Sequence, residues 1–229
     1  MANRPMTQPT WTAVDTYFNE LLVGRDPQLD AAMQASSVAG LPAYAVSPTQ
    51  GKLLFLLAQV QGARNILELG TLGGYSTIWL ARALPPGGKL VTLEASQKHA
   101  EVAQANIANA GLADRVELRL GAALDTLPQL AAEGRGPFDL IFIDADKENN
   151  PLYFTWALKL SRRGTVIIVD NVVRDGAVVD SASPDPVVQG VRRFHEMLAA
   201  EPRATATAIQ TVGSKGYDGF TLIRVTSDP

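Results

Sequence analysis

Between Asn65 and Asp170 the chain switches repeatedly between short apolar runs of strand length and longer stretches with helical spacing. No other feature restricts the possible folds so strongly. Strands are predicted at Asn65–Leu69, Lys89–Glu94, Val116–Leu120, Phe138–Asp144 and Gly164–Asp170. Helices are predicted between them at Ser76–Ala83, Lys98–Ala110, Ala123–Leu130 and Pro151–Leu160. Runs such as Leu140 to Ile143 and Thr165 to Val169 are apolar throughout, as in parallel strands covered on both faces. A helix over Val187–Ala200 then leads to two last strands, near Ala204–Val212 and Phe220–Val225. They are joined through Gly213, Gly216 and Gly219, and so short a joint implies an antiparallel hairpin. The expected architecture is an α/β, doubly wound, mostly parallel sheet of seven strands with one reversed.

Residues 1–10 read as a loose tail, followed by helices over Trp11–Leu22 and about Pro27–Ser37. Ser47 is placed to cap the next helix, with Pro48 in its first turn and Gln50 completing a capping box. That helix carries Leu53, Leu54, Leu57 and Val60 and ends near Gly62. The division expected is residues 1–40 as tail and helices, covering the site or building dimer contacts, and residues 41–229 as the main domain.

At 229 residues the chain is long enough for one such domain and too short for two large ones. The net charge of −3, without a Lys/Arg block, argues against nucleic acid as a partner. The absence of cysteine excludes disulfides, thiolate metal sites and a cysteine nucleophile. No apolar run reaches membrane-spanning length, and the polar N-terminus lacks a signal-peptide core. A cytoplasmic protein with no membrane partner is expected.

Chemistry-bearing residues collect at the strand ends. If the strands ending in Ile143 and Val169 are neighbours, their C-terminal ends lie roughly 5 Å apart. Asp144, Asp170 and Asn171 then converge as three hard oxygen donors where open α/β sheets bind ligands. Such a set suits Mg2+ first, with Ca2+ or Mn2+ as alternatives. The first strand runs into Glu68-Leu-Gly70-Thr71-Leu-Gly73-Gly74-Tyr75-Ser76, a turn that lets backbone approach a ligand. Its spacing is not GxGxxG, which disfavours a dinucleotide grip. Glu94, ending the second strand, is placed to accept two ribose hydroxyls. Gly121-Ala122-Ala123 offers a small surface for an adenine ring. His99 and His195 read as surface or satisfied core residues, and Asp146 as structural.

In this order the glycine turn, Asp144-Ala-Asp146-Lys147 and Asp170-Asn171 resemble the cation-dependent, S-adenosylmethionine-dependent O-methyltransferases of the caffeoyl-CoA and catechol type. The resemblance covers the chain from about Leu41 onward. It implies a Rossmann-like class I methyltransferase fold, normally dimeric in bacterial and plant members. It places Glu68, Gly70, Thr71 and Ser76 at the methionine end of S-adenosylmethionine. Glu94 then meets the ribose, Ala123 the adenine, and Val46 the cofactor through its backbone. Asp144, Asp170 and Asn171 match the metal ligands, with Asp144 also at the cofactor, and Lys147 the lysine beside the reacting hydroxyl.

That chemistry fits these residue types. A phenol, with a pKa of about 10, is a poor nucleophile until a cation holding two vicinal oxygens lowers it and orients one. Lys147 could accept or relay the proton, so Lys147 and Asp144 are the catalytic candidates. The acceptor expected is a small hydroxylated aromatic of catechol or other vicinal-dihydroxy type. Two loops depart from the plant pattern: Val172-Val173-Arg174-Asp175 replaces a tryptophan and asparagine, and Glu148-Asn149-Asn150 replaces a run into tyrosine. Arg174 and Asp175 are candidates for meeting the acceptor, as is Tyr217 in Lys215-Gly216-Tyr217-Asp218-Gly219. The rival reading is a cofactor-binding dimer that senses or scaffolds, against which an intact metal clamp argues.

Overall fold

The computed structural model describes residues 7–228. Residues 1–6 of the expected tail lie outside the described residues. The first helix, α1 (Gln8–Phe18), begins three residues before the predicted start and runs into a wider π turn over Asn19–Val23. Pro9 sits in its first turn, where a missing N–H costs nothing. Next come α2 (Pro27–Val38) and α3 (Pro48–Gln61), the latter capped by Ser47 and closed by Gly62.

The alternation follows as β1 (Asn65–Leu69), α4 (Tyr75–Ala83), β2 (Lys89–Glu94), α5 (Gln97–Asn109), β3 (Val116–Leu120) and α6 (Ala123–Ala132). It continues through β4 (Leu140–Ile143), a 3-10 turn over Lys147–Asn149, α7 (Asn150–Lys159), β5 (Val166–Asp170) and α8 (Pro186–Ala199). The chain ends in β6 (Ala204–Gly213) and β7 (Gly216–Val225). Here one expectation changes. The hairpin turns in two residues, Ser214 and Lys215, and Gly216 and Gly219 belong to β7 itself. An added Cβ on Gly219 would lie 2.3 Å from the Ile209 carbonyl oxygen, so this glycine serves a close backbone approach within the sheet.

All seven strands form one sheet in the order β3-β2-β1-β4-β5-β7-β6. The first five are parallel, and β7 runs against both β5 and β6. Side chains alternate between its faces with a period of two. Leu67, Leu69, Ile141, Ile143, Ile167 and Val169 join one core with residues of α6, α7 and α8. Ile66, Leu90, Leu140, Phe142 and Ile168 join a second with α2, α3, α4 and α5. The same parity sends Glu68, Thr92 and Glu94, and beyond the strand Asp144, toward the second face, and Asp170 with them. The polar side chains of four strand ends are therefore gathered on one side of one edge. Among the described residues, no helix is long and apolar enough to cross a membrane.

Candidate active site

Glu68, with no exposure, lies beneath the glycine turn. It accepts hydrogen bonds from Ser76 Oγ at 2.7 Å and Thr92 Oγ1 at 2.7 Å, and also from Thr77 Oγ1. Burial pushes its carboxyl up to about 7 from the usual 4.5; the three hydroxyl donors oppose that rise, and the Asp144 charge adds to it. The folded state thus holds this proton more tightly than the unfolded chain does. Its contribution to stability is full below pH 4.5 and is lost as pH rises through about 7. Glu68→Gln is expected to flatten that loss. Thermal melts of both proteins from about pH 5 to about pH 8 check it, and equal slopes would remove Glu68 as the cause.

Glu94 is nearly buried and spans two elements. Its Oε2 accepts from Thr71 N at 3.2 Å and Leu72 N at 2.8 Å, and its Oε1 from Ser96 N at 2.9 Å. It therefore ties the glycine turn, where Leu72 holds a φ of 51°, to the start of α5. His99 Nδ1 lies 3.4 Å from Glu94 Oε1, a neighbour that helical spacing alone did not reveal. Gly70, with φ 93°, meets the end of β4: a Cβ there would stand 2.2 Å from the Asp144 carbonyl oxygen. Thr71 and Ser76 are buried beside it, and Ala123 opens α6 half-buried past the third strand.

The acid end of the site lies one strand further along. β4 and β5 pair in parallel, with Ile143 opposite Val169, so Asp144 and Asp170 leave the sheet side by side as expected. Asp170 is 4% exposed, and its Oδ1 accepts from Asn171 N at 2.9 Å. Its Oδ2 accepts from Gln50 Nε2 at 2.8 Å. Burial raises the Asp170 carboxyl far above the carboxylate range, and the Asp144 charge adds to the rise against the pull of Lys147. Lys147 is itself buried and donates to Asp144 Oδ1 at 2.6 Å. Its 3-10 turn is pressed by α8, since a Cβ on Gly190 would meet the Lys147 carbonyl oxygen at 2.4 Å. Asn171 follows in a left-handed conformation, φ 55°.

These donors fit a hard divalent cation. Among the described residues no group of three or more His, Cys, Asp or Glu is set to hold a metal. The set here is two carboxylates and an amide, all oxygen. Its electrostatics point the same way, because burial and the Asp144 charge both disfavour the Asp170 carboxylate, a cost that a cation between the two acids would relieve.

A cleft of about 320 Å3 opens beside this end, at the small side of the range for ligand pockets. Val46, Gln50 and Leu53 line it from the α3 side, and Asp170, Asn171 and Asp175 from the β5 side. Lys215, Tyr217 and Phe220 close it from the hairpin, and Asp15 reaches it from α1. Asp175 and Tyr217, two of the candidates for meeting the acceptor, both line it. Arg174, the third such candidate, does not line the cleft; its Nη1 lies 3.7 Å from Asp218 Oδ2. Asp146 accepts from Asn149 Nδ2 and from the Tyr153 hydroxyl, a structural role as expected. His195 is satisfied between Val191 O and Thr221 Oγ1, at 2.9 and 2.8 Å.

Three of the polar lining residues make contacts that the sequence did not indicate. The capping box correctly joins Gln50 N to Ser47 Oγ at 3.2 Å, but the Gln50 side chain reaches Asp170 instead of returning to the cap. Asp15 Oδ2 accepts from Ser214 N at 2.7 Å, which holds α1 across the hairpin tip. Lys215 Nζ donates to Ala43 O at 3.1 Å and to Ala45 O, tying that tip to the connector before α3. Only the dense motif around Lys215 was a signal; the partners of Gln50 and Asp15 are remote in sequence.

An O-methyltransferase family model matches residues 25–226, beginning well before Leu41. A catechol O-methyltransferase of Niastella koreensis is 57% identical over 217 residues, covering 95% of this chain and 98% of that protein. One from Mycobacterium tuberculosis is 56% identical over 218 residues, covering 95% and 97%. The crystal structure of an O-methyltransferase from Bacillus cereus in complex with SAH superposes with a TM-score of 0.95 at 64% identity. That match covers 96% of this chain and all of the other.

Proposed function

The chain belongs to this O-methyltransferase family, and from that premise we propose that it moves a methyl group from S-adenosylmethionine to one hydroxyl of a small catechol-like acceptor held on a divalent cation. The observation that carries the metal part is the pairing of half-buried Asp144 with buried Asp170 at neighbouring strand ends, with Asn171 next in the chain. The catechol O-methyltransferase relatives support the acceptor class, and the SAH in the Bacillus cereus structure supports the cofactor. A divalent cation there, Mg2+ first, would acidify and orient a vicinal diol.

The chain's own residues do the rest. Glu68, Thr71 and Ser76 surround the turn assigned to the methionine end, and Glu94 is assigned to the ribose. Val46 and Ala123 are assigned to the cofactor's remaining contacts. Lys147, itself buried and held on Asp144, is placed to take or relay the acceptor's proton. Transfer between an anionic oxygen and a sulfonium gains most from alignment, where effective molarity is worth on the order of 7–11 kcal/mol at best. A homodimer belongs to this reading, supported by Tyr17, Phe18, Leu21 and Leu22 left exposed along α1 and its π turn. A cytoplasmic location completes it.

The test is methyl transfer to a panel of catechols, with phenols lacking a second vicinal hydroxyl as controls, in Mg2+ and in EDTA. Product from catechols alone, lost in EDTA, is expected. Turnover that persists in EDTA would remove the cation from the reaction. Cofactor binding without any product would favour the sensing or scaffold role.

A further inference from the structure

Resting on the cation reading above, we infer that Asp218 is the positioning residue for the loop after β5 and, through that loop, for Asn171. In the five residues from Asn171 to Asp175, three without the freedom of glycine are left-handed: Asn171, Arg174 and Asp175, with φ of 55°, 56° and 55°. A side chain disfavours that conformation, so something outside the loop has to hold it.

The holder is one carboxylate oxygen on the neighbouring strand. Asp218 Oδ1 accepts from Val173 N at 2.9 Å, Arg174 N at 3.0 Å and its own Gly219 N at 2.9 Å. Its Oδ2 faces the Arg174 guanidinium at 3.7 Å. Val172 N donates to Gly219 O at 3.0 Å, which brings the loop against β7. Gly219 permits that approach, since a Cβ there would lie 2.8 Å from Val173 Cγ2. Both residues of the Asp218-Gly219 pair thus act on the loop, one by accepting its amides and one by leaving it room.

The consequence reaches the site. Asn171 and Asp175 line the cleft while Arg174 is turned to Asp218. An acceptor that is charged and takes several amides at once is hard to replace, because hydrogen bonds to ionised groups are the stronger kind. Without it, the loop can relax to right-handed backbone, and the Asn171 amide leaves the side of Asp170.

The experiment compares the full-length protein with Asp218→Ala and Asp218→Asn, using Mn2+ as the cation probe. Mn2+ affinity is read by electron paramagnetic resonance without acceptor, and hydrogen exchange is followed at the Val173 and Arg174 amides in EDTA. Asp218→Ala is expected to weaken Mn2+ binding about tenfold and to speed both amides by at least as much. SAH affinity should stay within about twofold, since the glycine turn is untouched. Asp218→Asn keeps a neutral acceptor oxygen and is expected to fall between, with the same two amides faster than in the parent. If Asp218→Ala does not fold, that intermediate exchange decides. Parental exchange and Mn2+ affinity in the variants would overturn the inference, as would SAH affinity falling in step with Mn2+. A parent that binds no Mn2+ would sink the cation reading, while faster loop amides in the variants would still support the loop-holding role.

Discussion

Asp170→Asn is expected to abolish methyl transfer while making the metal-free protein more stable, two effects of opposite sign from one lost charge. The carboxylate is 4% exposed and stands beside Asp144, whose charge adds to the cost of ionising it. Two like charges in a poorly hydrated place repel, so neutralising one relieves the folded state. The substitution is nearly isosteric. Asn keeps an oxygen for the Asn171 amide, and the Gln50 amide can turn over to accept where it now donates. The relief should be on the order of 1–2 kcal/mol, a rise of a few degrees in Tm. The same exchange removes a hard anionic ligand, and a cation worth several kcal/mol to the reaction would be lost with it, about 10^3-fold in turnover. Melts in EDTA and assays in Mg2+ read the two effects separately. Parental turnover would show that Asp170 holds no cation, and a less stable variant would show that its charge is compensated in a way this geometry does not contain.

Gly70→Ala should instead damage everything at once. Its φ of 93° already penalises a side chain, and the new Cβ would stand 2.2 Å from the Asp144 carbonyl oxygen. Both contacting groups are backbone, so no rotamer change relieves the clash. The strands must part where β1 and β4 end, at the place where Asp144 N donates to Leu69 O at 2.8 Å. A cost of about 3 kcal/mol or more is expected, on the order of 10 °C in Tm. Because the turn and Asp144 move together, SAH and Mn2+ affinities should fall together. Gly62→Ala is the matched control: its φ is 65°, but no atom lies within 4 Å of a Cβ there. It should cost about 1 kcal/mol and leave both ligands alone. If calorimetry finds SAH binding unchanged in Gly70→Ala, the turn is not part of the cofactor site.

Much of the fold was legible because it is written locally. β1, β2 and β3 fall at the residues predicted, and Ser47, Pro48 and Gly62 bound α3 as their chemistry requires. The exceptions have physical causes. α1 starts at Gln8 because a proline, here Pro9, is tolerated in a helix's first turn. β7 starts at Gly216 because Gly219 answers a close approach of other backbone, where the sequence suggested a loop. In the site, Asp144, Lys147, Asp170 and Asn171 were legible as a group because they end adjacent strands of a recognisable order. Gln50 was misassigned because a capping box accounts for its amide N–H but leaves its side chain free to choose a partner 120 residues away.

By itself, then, the sequence determined the alternation of strands and helices, the glycine turn and the acids at the strand ends. Those follow from backbone geometry, in which a period of two or 3.6 residues is imposed on any chain. Only the tertiary structure decided which partner each polar group meets. It set Gln50 on Asp170, turned Arg174 to Asp218, brought Asp15 to the hairpin tip and put the Val173 and Arg174 amides on one Asp218 oxygen. Such pairings join residues far apart in the chain, and no local periodicity specifies them. They are selected when the sheet and helices pack, because a buried polar group must find a partner within reach.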